Sequence, residues 1–523
     1  MKRNRAPRRI RPALLLATLA FAFGASPLPS VALATGRGDR WFALLLQGQP
    51  IGWMHSVVTE DGSVIESEIA TYFELRRGPL NVTARVTMGF RETSDGKPIE
   101  NWVMQDLGLI KSNQTMRYKK DSIELITEQA GMTRRRTIPH PEQSWLTPAA
   151  QIRYIEKQIA SGATEIRFWA VDPMNGVAPY QTHWKLITRE NVEVQGKVVP
   201  GIVWNVTLSN MPQLVSRLYT DERGKDIKTT LNLMPGMPFE MVLSDEQFAK
   251  AKINPPDLVA STLVRPDRII INPRQLRSAS YKLDFTHMSD LPPPDAAGGK
   301  PSPFFELPET GVQRVIWHGH RAATVHVSLD SPIPPGDDRA TDVHLRASAM
   351  LNHEDPEVRR LLKQALDTTA ASEPERAEQL RAFVHDFIDV KDLSVGFATA
   401  SEVARTRQGD CSEHGVLLAT MLRGANIPSR TVGGVIYVAS EFLGQSHTFG
   451  YHMWTQAWLP VEYENGTHGH GWVDLDATRS NPYDAAHIAL AVGAMDDNSA
   501  FNELFRMAPM IGRLSIRVVE TSP

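Results

Sequence analysis

Cys411 is the one cysteine among 523 residues, and it stands in the run Gly409-Asp410-Cys411-Ser412-Glu413-His414, directly before an apolar stretch. A lone thiol forms no intramolecular disulfide and no multi-cysteine zinc site. Three uses remain: core filler, reactive nucleophile or intermolecular partner. The downstream residues favour the nucleophile. His452 opens His452-Met453-Trp454-Thr455-Gln456-Ala457-Trp458, and Gly471-Trp472-Val473-Asp474-Leu475-Asp476-Ala477-Thr478 follows. A thiol that attacks a carbonyl needs a base to take its proton and a third group to hold that base in one tautomer. Cys, His and Asp occur in that order on three separate segments.

These residues must be positioned by regular elements. Val416, Leu417, Ala419, Met421 and Leu422 predict a helix that starts at or near Cys411, with Gly424 and Pro428 as its stop signals. A thiol in the first turn meets the positive end of the helix dipole, which favours thiolate. Residues 429–438, 451–459 and 471–475 read as strands, being rich in β-branched or aromatic side chains. A helix N-terminus packed on strands that present His and Asp is the geometry of papain-like enzymes.

The blocks GDCSEHGVLLATMLRGANIPSRTVGG, HMWTQAWL and GWVDLDATRS together resemble the transglutaminase-like cysteine enzymes in their bacterial form, across about residues 350 to 523. The resemblance implies Cys411 as nucleophile, His452 as general base and acid, and Asp476 as the orienting carboxylate. Asp474 and Asp476 lie two residues apart and share one strand face, so periodicity does not separate them. The choice of Asp476 comes from the resemblance, which places the acid four residues after the tryptophan. Ala477 stands where proline is common and Gln456 where many relatives carry an acid, and neither change removes a catalytic group. Glu413 reads as a first-turn acid and His414 as a helix-packing histidine.

The implied chemistry is acyl transfer at an amide bond of a protein or peptide through a thioester, by hydrolysis in preference to cross-linking. A different class of function also fits: a non-catalytic exported binding or assembly module that uses this half as scaffold. A peptidoglycan-directed amidase or peptidase fits the expected compartment but rests on no particular residue.

Histidines crowd this end of the chain at 414, 447, 452, 468, 470 and 487. No HExxH or comparable ligand spacing occurs among them, and His468-Gly469-His470 reads as a solvated turn leading into the Trp472 strand. Neither a metal nor a cofactor is expected.

At 42% hydrophobic and 22% charged residues, a chain of this length predicts an ordinary globular protein of two or three domains. Residues 1–34 read as a secretory signal peptide. Lys2, Arg3, Arg5, Arg8, Arg9 and Arg11 make a basic start, Ala13 to Phe23 an apolar run, and Ala32-Leu33-Ala34 a small-residue cleavage site. Removing its six positive side chains from a chain of net charge −3 leaves −9, which gives no electrostatic reason to expect nucleic acid or an anionic membrane as partner. No further stretch reads as a transmembrane anchor, so an exported protein, periplasmic or secreted, is expected. A single unpaired cysteine in an oxidising compartment is a liability unless the thiol is used.

The remainder predicts a multidomain chain: an N-terminal, mainly antiparallel β domain at 35–285, a Pro/Gly linker at 286–309, a β lead-in at 310–345, and an α+β papain-like, transglutaminase-like domain at 346–523. The alternation at 65–75 and 80–90 and the turn pairs Asp61-Gly62, Asp95-Gly96 and Arg223-Gly224 read as successive hairpins. Helical patches are expected at 149–161 and 245–251, a hairpin at 312–317 and 323–329, and helices at 355–369 and 373–388.

Overall fold

The computed structural model describes residues 38–77, 80–106, 111–129, 132–234, 237–255, 263–285, 306–366, 372–391, 398–442, 445–496, 507 and 510–523. The expected signal peptide and most of the expected linker, residues 286–305, lie outside them. The described residues form two compact units, one ending at residue 255 and one beginning at residue 263.

In the first unit the strands are β1 (Gly38–Leu46), β2 (Gln49–Asp61), β3 (Val64–Arg77), β4 (Leu80–Thr93), β5 (Pro98–Asp106), β6 (Lys111–Tyr118), β7 (Ile123–Gln129) and β8 (Met132–Ile138). Helix α1 (Pro148–Ala160) precedes β9 (Glu165–Val171), β10 (Pro179–Val194), β11 (Lys197–Leu208), β12 (Met211–Thr220), β13 (Asp226–Met234) and β14 (Met237–Ser244), and the single-turn helix α2 (Glu246–Ala249) closes the unit. The order β8-β7-β6-β5-β4-β3-β2-β1-β14-β13-β12-β11-β10-β9 makes one antiparallel sheet of two meanders joined where β1 pairs with β14. All three expected turn pairs connect neighbouring strands.

Helix α1 lies where a helical patch was expected because Ile155 and Ile159 face Phe168, Trp184, Trp204 and Leu218 of the sheet. Its first turn is capped from a distance. Thr147 makes no cap bond of its own; instead buried Glu92 of β4 accepts from Ala149 N at 2.9 Å and from Thr147 Oγ1 at 2.6 Å.

The second unit contains β15 (Ser278–Asp284), β16 (Gln313–Trp317), β17 (Ala322–Ser328), α3 (Pro356–Ala365), α4 (Glu373–Phe387), α5 (Ala400–Thr406) and α6 (Cys411–Gly424). It continues with β18 (Ser429–Val438), β19 (Thr448–Glu462), β20 (His468–Leu475), β21 (His487–Gly493) and β22 (Ser515–Ser522). The strands form two four-stranded sheets, β16-β17-β15-β22 and β20-β19-β18-β21. Helix α6 packs on β18 and β19 and against α3, α4 and α5, so all its residues from Cys411 to Arg423 are buried. A helix covered all round buries apolar residues on every side, and its polar ones are paired inside: Thr420 Oγ1 donates to the Val416 carbonyl and Arg423 to the Ser429 carbonyl.

Two readings of the sequence need correction. Residues up to 285 were expected with the N-terminal domain, yet β15 is hydrogen-bonded between β17 and β22 of the second unit; alternation predicts a strand but not its partners. His468-Gly469-His470 is not a turn but the start of β20, paired with Glu462, Val461 and Pro460.

Candidate active site

Cys411 is the first residue of α6 and is buried. The helix start is held by a reciprocal cap: Asp410 Oδ1 accepts from Ser412 N at 3.1 Å, while Glu413 Oε2 accepts from Asp410 N at 2.9 Å. The other Glu413 oxygen accepts from Ala398 N at 2.8 Å, so this fully buried acid ties the segment before α5 to the cysteine turn. Burial, followed by the charge of Asp410, pushes the Glu413 carboxyl well above its ordinary range. Only glycine fits at 409, where a Cβ would stand 2.2 Å from Glu413 Cβ. The run Gly-Asp-Cys-Ser-Glu is therefore a device that seats the thiol at a helix N-terminus.

His452 lies on β19 opposite Gly434 of β18. A Cβ at Gly434 would meet the Trp454 ring at 2.6 Å and the Ile488 carbonyl at 2.1 Å, so the missing side chain lets Trp454 and β21 close around the histidine strand. His452 Nε2 is 3.0 Å from Asp476 Oδ2. Its Nδ1 is buried and has no hydrogen-bond partner among the described residues. Burial pushes the His452 imidazole below its ordinary pKa, and Asp476 opposes that shift.

Asp476 follows β20 and is fully buried. Its Oδ1 accepts from Thr478 N at 2.8 Å and Thr478 Oγ1 at 2.6 Å. Its Oδ2 meets His452, Arg479 Nε at 3.2 Å and His487 Nε2 at 3.3 Å. Burial alone would raise this carboxyl, but His452, His487 and Arg479 together hold it well below the usual carboxylate range. Buried Arg381 of α4 donates to the carbonyls of Asp476, Arg479 and Ser480 and fixes the turn that presents the acid.

The structure thus joins His452 to Asp476 and sets Cys411 at the head of the helix packed on the histidine's strand. Asp474 goes elsewhere: its Oδ1 accepts from Trp454 Nε1 at 2.7 Å and Gln456 Nε2 at 2.9 Å. Gln456 in turn accepts from Arg430 Nε at 3.0 Å, so its amide bridges a carboxyl and a guanidinium. Sequence reasoning missed His487. No spacing marks it, and its only signal is its place in a histidine-rich end of the chain.

His452, Asp476 and His487 place one donor atom each within 4.8 Å of one another, a separation a metal ion could bridge. Their surroundings do not fit a metal ion, since Arg479 stands 3.2 Å from the shared Asp476 oxygen and both His487 ring nitrogens already face acceptors.

Residues 360–477 match the model of the Transglutaminase-like superfamily, and the C-terminal part of the chain is a transglutaminase-like domain. No curated protein matches the chain. Among solved structures, a β-barrel-like protein of a domain of unknown function from Brucella abortus is 11% identical, covering 40% of this chain and 98% of its own at a TM-score of 0.30. A provisionally named cysteine protease from Cytophaga hutchinsonii is 12% identical over 47% of this chain and 86% of its own, TM-score 0.27. The periplasmic domain of TgpA from Pseudomonas aeruginosa, bound to ethylmercury, is 13% identical over 41% and 88%, TM-score 0.23. Among the described residues no helix is long and apolar enough to cross a membrane.

Proposed function

We propose that this chain is an exported cysteine acyl-transfer enzyme that cleaves amide bonds of a protein or peptide, with Cys411 as nucleophile, His452 as base and acid, and Asp476 as the orienting group. The observation that carries the reading is the His452–Asp476 pair: Nε2 is committed to the carboxylate, and the buried Nδ1 is left to exchange a proton. A first-turn cysteine adds the dipole's preference for thiolate.

In the first step His452 takes the Cys411 thiol proton, the sulfur forms a bond to the amide carbon, the C–N bond breaks, and the amine leaves with that proton returned from the imidazolium. In the second, water forms a C–O bond as the C–S bond breaks, and His452 takes the water's proton. With a lysine amine in place of water the product is a cross-link. Hydrolysis is the preferred outcome. The signal-peptide reading of residues 1–34 places the enzyme in the periplasm or outside the cell.

The test is the alkylation rate of Cys411 against pH, in the parent and in His452→Ala, followed by mass spectrometry of glutamine peptides with and without a lysine-like amine. The expected result is a thiolate that persists well below the ordinary value of about 8.5 and is lost in the variant. A thiol that titrates as free cysteine and ignores His452 would sink the reading and favour the binding-module alternative.

A further inference from the structure

Below the catalytic pair lies a second histidine that the acyl-transfer reading does not use. His487 opens β21, is fully buried, and has both ring nitrogens engaged. Nδ1 is 2.9 Å from the backbone carbonyl of Asp484 and 3.0 Å from its Oδ1. A carbonyl offers only lone pairs, so Nδ1 carries hydrogen. Nε2 is 3.3 Å from Asp476 Oδ2. That oxygen also meets His452 and Arg479, and the partner oxygen accepts two bonds from Thr478. A carboxyl surrounded by donors on both oxygens is ionised, so Nε2 carries hydrogen too.

We propose that His487 is a positioning residue for the proposed reaction: a buried imidazolium, protonated on both nitrogens, that fixes Asp476 as an acceptor and restrains protonation of His452. The inference rests on the acyl-transfer reading for its purpose but not for its geometry.

The surroundings are built to hold such a charge. Asp484 and Asp476 flank the ring, and Asp484 is itself anchored by Arg274 Nη1 at 3.0 Å. The Tyr483 ring lies 4.3 Å away by centroid and tilted by 30°, a face contact that favours a cation over a neutral ring. The other charged or titratable groups in range are Arg479, Asp474 and His452, whose ring is 5.9 Å off. Burial works against the charge, but Asp484 and Asp476 together outweigh it, and His487 stays above its ordinary range. The same cation counts among the causes that depress His452. Two N–H groups from two histidines on one carboxylate oxygen also aim Asp476 at His452 Nε2, so Nδ1 is the nitrogen left for the substrate's proton.

The test is nitrogen and proton NMR of the 15N-histidine-labelled chain from pH 5 to 9. Both His487 ring nitrogens should carry protons at pH 7, and in His487→Gln the titration of His452 should move up by about half a pH unit or more. A His487 ring with one proton at pH 7, or a His452 titration unmoved by the substitution, would overturn the proposal. Should His487→Gln fail to fold, Asp484→Asn supplies the second variant. The His487 ring should then lose its second proton at a lower pH than in the parent, and an unchanged titration overturns the proposal equally. These readouts do not involve the thiol. An inert Cys411 beside a doubly protonated His487 would strike the enzyme reading alone.

Discussion

His452 Nε2 and Asp476 Oδ2 stand 3.0 Å apart, with the carboxylate fully buried and bonded on its other oxygen to Thr478. A carboxylate so fixed selects one imidazole tautomer, which is what orientation of a catalytic base requires. Asp476→Asn keeps the shape but disturbs that choice. Amide hydrolysis should fall on the order of 10² to 10⁴-fold, as removal of a triad acid does elsewhere, measured as kcat on a released-amine assay. Unchanged kcat would remove Asp476 from the mechanism.

Asp474 provides the control two residues away. Burial raises its carboxyl to about 6, although Trp454 and Gln456 donate to it. The folded state therefore prefers the neutral acid. Its contribution to stability is complete at low pH and is lost as pH rises from the unfolded value near 4 through 6. Asp474→Asn should melt above the parent at pH 8, by roughly 2 kcal/mol in denaturant unfolding, with the difference vanishing at pH 4. A pH-independent difference would contradict this, and catalysis should stay within about tenfold of the parent.

His414 carries the opposite sign. Burial pushes it down to about 3, so the folded ring stays neutral while the unfolded one takes a proton below about 6.5. Stability is lost as pH falls across that window. His414→Gln should flatten the acid limb of the melting profile and recover on the order of 2 kcal/mol at pH 4.5; parallel profiles would show that the ring is not held neutral.

Glu92 tests the first unit. Removal of its carboxylate in Glu92→Ala strips the cap from Ala149 N and Thr147. A loss of about 1–2 kcal/mol is expected, read as a lower midpoint for unfolding of this unit by far-UV dichroism. Unfolding identical to the parent would mean water replaces the cap without cost.

The elements that position Cys411, His452 and Asp476 were legible because each carries a local signal. Cys411 stands directly before an apolar run that ends at Gly424 and Pro428, and α6 starts there. The turn pairs of the first unit work the same way, since Asp-Gly specifies a tight connection wherever its flanking strands pair. What escaped depended on partners distant in sequence. Strand β21 and His487 become meaningful only once β21 lies beside β18, and β15 alternates like any strand of the first unit while bonding to strands of the second. Helix α5 spans only residues 400–406, too few to display a period.

The placement of β15 also bears on how the polypeptide comes to be made. Tyr281, in the middle of that strand, pairs with Val325 on one side and with Val518 on the other. During synthesis the first edge is covered early, but the second stays bare until almost the whole second unit has been translated. A nascent chain thus carries an open strand edge, the usual seed of mispairing. A fragment trimmed to residues 360–477 would retain Cys411, His452 and Asp476, yet lack the whole sheet β16-β17-β15-β22 and the histidine beneath the pair. Ribosome-bound or shortened forms should therefore be protease-sensitive, with resistance arriving late and all at once.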